Sequence, residues 1–501
     1  ILQLIRETRC MDRMGGIEMP ESAKMVLLQE QKFKTYNHEL SYFLKEYRRV
    51  TSLVKPIVSN LLKPHIENLE FKMRPGMVTL TWTSMNIEAY LEDIWKELDK
   101  LEQLVTAVND LMENRIDANL KHVANVLLVN LPEEAELVTL DEFVDMQERH
   151  VRSTTDFLVA KSLEIENAVN DMLGIMVAFE FDPHVPAVTE SEIIKVKAHY
   201  NWSMYQALLN ATKRSLRAMK LRLSSNNREG MGLPPAFFEV DLQLDGLGVR
   251  LVPSVDEIQT AINGGAVAVL KCSKMIEAWD TVTIPKNVQL ILNPNLPPVQ
   301  GTGSQGTFYD RIAQDREILK VVLLLTGSIQ SAKDQCNNYL TQFSEYEWCW
   351  SDDIAKAYAE FKETDPSLDE FEVKLKYYVN IEQKVSAMEA QHQISALMLQ
   401  TSSLAKSLQE LALKWKESFA GELHKDAFKK LENVSEMVKS TRKKLLREVG
   451  NGDIDALAYV MQTLTDVRAK QSEIELDFIP IEHMYRILDE HLPNIMDKEE
   501  Q

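Results

Sequence analysis

The sequence predicts a mainly α protein, an elongated array of successive helical bundles interrupted by one small β-hairpin. Three observations lead there. Gly and Pro number only 17 each in 501 residues, so few turn residues punctuate the chain and its elements must be long. Apolar residues recur at three- and four-residue steps over most of the length. Four boxes of Ser or Thr followed three residues later by Glu stand directly ahead of such runs: Thr139 with Glu142, Thr189 with Glu192, Ser254 with Glu257, and Ser367 with Glu370. In each, the hydroxyl and the carboxylate can satisfy backbone N–H groups that the first helical turn leaves without partners.

The elements follow in order. Residues 21–72 carry helical spacing, broken by Pro56 and Pro64. RPGMVTLTWTS (74–84) reads as a Pro-Gly turn and a short extended segment. From Tyr90 a regular helix begins. Leu91, Ile94, Leu98, Leu101, Val105, Val108 and Met112 step by three and four in alternation, a heptad seam. Such a seam serves a coiled coil with another chain or packs one long helix into its own bundle. The spacing predicts further helices at about 141–178, 190–224, 254–279, 306–346, 351–363, 367–400, 403–420, 423–449 and 453–471. Residues 225–253 interrupt them. SNNREGMGLPP is a linker by composition, and FEVDLQL and VRLV alternate around the turn signal DGLG, which predicts a β-hairpin. VQLILN (288–293) adds a short strand.

These elements divide the chain into a helical bundle region at 1–224, a linker, hairpin and connecting helix at 225–305, and a second bundle region at 306–501. The Pro/Gly-rich stretches at 225–235 and 294–306 are candidate hinges or partner loops.

Composition limits function. The net charge of −20 argues against nucleic acid or an anionic membrane as the main partner. Cys10, Cys272, Cys336 and Cys349 match no zinc or CxxC spacing, and scattered thiols suit a reducing compartment. The longest apolar run, ILKVVLLLTGSI from Ile318, is too short to span a bilayer, and no signal peptide is visible. Glycosylation-like triplets at Asn201, Asn210 and Asn433 fall in helical patterns and read as chance. The chain begins in mid-helix pattern and stops without a natural ending, as a fragment of something larger would.

Residues 301–306, GTGSQG, fit the pattern G-x-G-x-x-G. A dinucleotide loop needs its first glycine at the end of a buried strand inside a βαβ unit. Here Pro294, Pro297 and Pro298 separate VQLILN from the glycines, and a long helical pattern follows. There is no G-x-x-x-x-G-K-[ST], H-E-x-x-H or G-x-S-x-G. His483 and His491 stand two turns apart on one helix, about 12 Å, too far for one metal ion. KSTRKKLLREVGNG (439–452) suits a helix C-terminus, where basic residues meet the negative end of the dipole and glycine caps the helix. The sequence therefore assigns no catalytic, cofactor-binding or metal-binding residue and no cofactor. Its chemistry is that of an elongated helical interaction protein.

Several stretches in order resemble the tail, or stem, of dynein heavy chains. RPGMVTLTWTSMNIEAYL matches at Pro75, Gly76, Leu80, Trp82 and Ser84. FEVDLQLDGLGVRLVPSVDEI matches the family's hairpin and helix start at Pro253, Ser254 and Glu257. YLTQFSEYEWCWSDDIAKAYAEF carries Tyr339, Phe343, Tyr346, Trp350 and Phe361, and PSLDEFEVKLKYY and DFIPIEHMYRILDEH continue the series. The run from GGAVAVLKC to GTGSQG looks most like axonemal outer-arm chains. After Met388 the family often has a Gly-Trp segment, and AQHQISALMLQ stands there instead.

The resemblance implies a non-catalytic rod joining an ATP-driven motor ring to intermediate chains, light chains, other heavy chains and docking proteins on the microtubule doublet. It implies location in the cytoplasm, within the axoneme of a cilium or flagellum. It also implies that this stretch ends before the motor's linker and carries no AAA module. Two other readings compete. A spectrin-like or tethering scaffold would show a fixed repeat, and none is found. A nucleotide-dependent enzyme would have to use the glycine stretch.

Overall fold

The computed structural model describes residues 1–16, 18–132, 136–178, 189–223, 235–246, 248–279, 306–446 and 453–492. The chain groups into two compact units. The first comprises Ile1–Leu131, Val144–Lys220 and Asn263–Leu324; the second comprises Pro132–Phe143, Leu221–Ile262 and Leu325–Gln501. Both gather segments distant in sequence.

In the first unit, α1 (Leu2–Met14), α2 (Glu21–Leu28), α3 (Glu30–Ser52), α4 (Ser59–Val78) and α5 (Ile87–Asp110) come in succession. Pro56 falls between α3 and α4, but Pro64 lies inside α4, buried beside Leu61, Leu62 and His65. The cost of a missing helix hydrogen bond there is offset by burial. The heptad residues Leu91 to Met112 are buried, and α5 packs on α3 and α4. The seam is thus spent inside its own bundle. α5 continues through a π-helical turn, Leu111–Asp117, into α6 (Ala118–Asn125).

The turn and extended segment expected at 74–84 do not form. α4 runs through Pro75 and Gly76 to Val78. Beyond it, the Thr81 N–H donates to Ser84 Oγ at 3.0 Å, and the Ser84 N–H donates back to the Thr81 carbonyl at 3.0 Å. Short hydroxyl side chains here close a local turn instead of extending a strand.

α7 (Leu140–Val177) and α8 (Glu190–Leu223) match their expected spans closely. The former bears the buried Leu158, Ile165 and Met172; the latter bears Met204, Leu208 and Leu216. α9 (Val255–Lys271) ends earlier than expected, in a 3₁₀ turn at Cys272–Met275. The single helix expected at 306–346 is divided into α10 (Tyr309–Ala313), α11 (Arg316–Leu340) and a 3₁₀ turn at Thr341–Tyr346. Asp315 makes the first division: its carboxylate accepts the N–H groups of Glu317 at 3.0 Å and Ile318 at 3.2 Å, starting a new helix. α12 (Trp348–Ser351) and α13 (Ile354–Glu363) follow, the latter capped by Asp353 on the Ala355 N–H.

The second unit contains a four-stranded sheet in the order β2-β1-β4-β3. β1 (Phe238–Asp245) and β2 (Gly248–Val252) form the expected antiparallel hairpin. The helix expected over 367–400 stops early: α14 spans Leu368–Ser386. AQHQISALMLQ then folds into a second hairpin, β3 (Gln391–Ile394) and β4 (Leu397–Gln400), with Ser395 at φ 54° in its turn. Leu397 and Leu399 point into the core while Met398 and Gln400 are half-exposed, the two-residue period of a strand. β4 pairs in parallel with β1, setting Phe238 opposite Leu397 and Val240 opposite Leu399.

α15 (Ser402–Leu445) is one helix of 44 residues where two were expected, and it passes through Gly421. A lone helical glycine costs about 1 kcal/mol, too little to break a helix with a buried face. α16 (Ile454–His491) extends beyond the expected 471 and through Pro480. Described helices range from 4 to 44 residues, which does not suit an array of equal spectrin-like repeats.

The strand expected at 288–293, residues 301–305 of the glycine stretch and most of the two candidate hinges lie outside the described residues.

Candidate functional site

Three of the four expected capping boxes form. The Ser367 N–H donates to Glu370 at 2.8 Å and the Glu370 N–H to the Ser367 hydroxyl at 3.4 Å. Ser254 with Glu257 and Thr139 with Glu142 repeat the arrangement. At Thr189 the box fails, because Glu192 turns its carboxylate to Lys195 at 2.6 Å and to Asn60 at 3.1 Å.

Several of the motif residues do structural work. Gly76 permits a close approach: a Cβ there would collide with the Tyr90 hydroxyl, which donates to the Met73 carbonyl at 3.0 Å. Tyr339 stacks on His392 with centroids 4.3 Å apart, and Phe343 meets Tyr339 edge-on. Phe361 abuts Phe371 at 4.9 Å and Phe419 at 5.8 Å. These rings join a core of α13, α14, α15 and α16 that includes Tyr378, Trp415 and Leu488. Within it the Trp415 indole donates to the Cys349 carbonyl at 3.0 Å, so the buried polar edge is satisfied. Lys416, nearly buried, pairs with Glu382 at 2.9 Å.

Cys10 is exposed; Cys272, Cys336 and Cys349 are buried. Burial pushes the Cys336 thiol up to about 11 and the Cys349 thiol up to about 12. Such thiols are poor nucleophiles. Asn201 is buried and accepts the Trp279 N–H at 3.1 Å, so that glycosylation-like triplet is structural. Arg442, Lys443 and Lys444 fill the last turn of α15, the dipole arrangement expected of this basic stretch, while Gly450 and Gly452 lie outside the described residues.

Two surfaces stand out. Along α16, Leu457, Met461, Leu464, Leu476 and Ile479 are exposed, although Met484, Ile487 and Leu488 of the same helix enter the aromatic core. Near its end, His483 and His491 do not form one cluster; each meets Glu372 of α14. Asp369, Glu372 and His483 form one group, and Glu372, Glu490 and His491 another, with the potential ligand atoms of each within 4.8 Å of one another. Sequence reasoning missed Asp369 and Glu372, because only the packing of α14 on α16 brings them to the histidines.

Residues 1–90 match the family described as dynein heavy chain, N-terminal region 1. The chain is 35% identical over 492 residues to the dynein gamma chain of the flagellar outer arm of Chlamydomonas reinhardtii, covering 97% of this chain and 10% of the relative. It is 26% identical to human dynein axonemal heavy chain 8, covering 97% and 12%, and 24% identical to mouse dynein axonemal heavy chain 5, covering 98% and 12%. The chain thus spans about a tenth of the length of the curated relatives it matches.

Proposed function

The chain belongs to the dynein heavy chain family, as part of its N-terminal tail and not of its AAA motor, and from that premise we propose that it serves as a non-catalytic stem segment of an axonemal dynein heavy chain. In the axoneme of a cilium or flagellum it would connect the ATP-driven motor to intermediate and light chains, to neighbouring heavy chains and to the docking site on the microtubule doublet. The observation that carries this reading is the row of exposed apolar side chains on α16, with Leu476 66% and Ile479 60% exposed. Apolar surface of this kind gains free energy when a partner covers it. The buried aromatic core at the far end of the same helix anchors it.

The test is capture of dynein components from an axonemal extract by the tagged chain. The wild-type chain is expected to retain intermediate chains or other heavy chains, and Leu457→Glu with Leu464→Glu to lose part of that set. A wild-type chain that retains no dynein component would overturn the reading.

A further inference from the structure

We propose that Glu372, Glu490 and His491 bind one zinc ion, clipping α14 to the last turn of α16. The ligand set is one imidazole and two carboxylates from two packed helices, with ligand atoms within 4.8 Å of one another. Zinc bound to nitrogen and oxygen at about 2.0–2.2 Å needs ligand atoms roughly 3.5 Å apart, a closure that small side-chain rotations supply. Three protein ligands leave the fourth tetrahedral position to water. The mixed imidazole and carboxylate set favours zinc over calcium or magnesium, which prefer oxygen alone.

A second observation distinguishes this triad. His491 Nε2 is shut off from solvent and has no hydrogen-bond partner, a costly state for an imidazole nitrogen unless a ligand takes it. The neighbouring triad, Asp369, Glu372 and His483, competes for the same Glu372 carboxylate but has no such orphaned nitrogen. The opposing feature is Lys376, whose ammonium pairs with Glu372 and supplies the local positive charge. Zinc binding must displace it.

The experiment is isothermal titration of the metal-free chain, carrying Cys10→Ser, with zinc chloride. One ion per chain is expected at micromolar affinity or tighter. His491→Ala and Glu490→Gln should each weaken it about tenfold or more, His483→Ala should leave it unchanged, and Lys376→Met should tighten it. Circular dichroism of each variant separates lost binding from lost folding. Absence of binding at 100 µM zinc would overturn the proposal. So would binding that His491→Ala, still folded, leaves intact, or binding that depends on His483.

Discussion

Phe238 on β1 lies opposite Leu397 on β4 in parallel register, and the next inward pair, Val240 and Leu399, is wholly buried. This pairing joins two hairpins into one sheet. Leu399→Ala removes a buried side chain from its centre and should cost about 2–5 kcal/mol in urea unfolding. Substitution of Gln391, exposed on the edge strand, should change stability by less than about 0.5 kcal/mol.

The seam on α5 makes a second prediction. Ile94 is fully buried within its own bundle. Ile94→Ala should lower stability by about 2–5 kcal/mol without altering the sedimentation coefficient of the folded chain. A change of oligomeric state at constant stability would show that the seam serves another chain.

Gly76→Ala should force the Tyr90 phenol from its place over α4 and break its bond to Met73, at a cost of about 1–3 kcal/mol. Tyr90→Phe removes the hydroxyl, the first of the atoms the new methyl would strike, while the ring carbon Cζ, 2.6 Å from that methyl, remains. The double variant should therefore be less destabilised than the two single costs added together, as thermal melts of the four proteins would measure.

The capping boxes differ in a testable way. Ser367→Ala and Ser254→Ala each break a formed box and should cost about 1 kcal/mol. Thr189→Ala removes a hydroxyl that, among the described residues, bonds its neighbour Ser191 at 3.2 Å and not Glu192, and should cost less than half as much in denaturant melts.

Thiol labelling reads burial directly. At pH 8 the native chain should alkylate rapidly at Cys10 alone, and at Cys272, Cys336 and Cys349 only in denaturant. Burial holds those three thiols protonated at this pH. Rapid native labelling of Cys349, followed by mass spectrometry, would contradict the packing of the aromatic core.

Much of the fold was legible because long amphipathic helices announce themselves locally. The spans of α7 and α8 and three capping boxes depend on residues within a turn or two of each other. Errors arose where distant partners decide. AQHQISALMLQ follows a strong helical pattern, and its two-residue period becomes decisive only with β1 alongside. The break expected at Pro64 and the gap expected between 420 and 423 are both bridged, because burial along α4 and α15 outweighs the local cost of Pro64 and Gly421. The Glu372 cluster left no trace in the spacing, since its ligands meet only through helix packing.

The sheet also orders events in time. Gln400 donates to Glu239 across 161 residues of chain at 2.8 Å. At about 5–20 residues per second, a ribosome needs roughly 8–30 s to make that interval. Until then β1 offers an open edge, and a lone hairpin is marginal in water. Nascent β1 and β2 therefore face a window in which a chaperone, or a neighbouring nascent chain on the same messenger, competes for the edge that β4 will occupy.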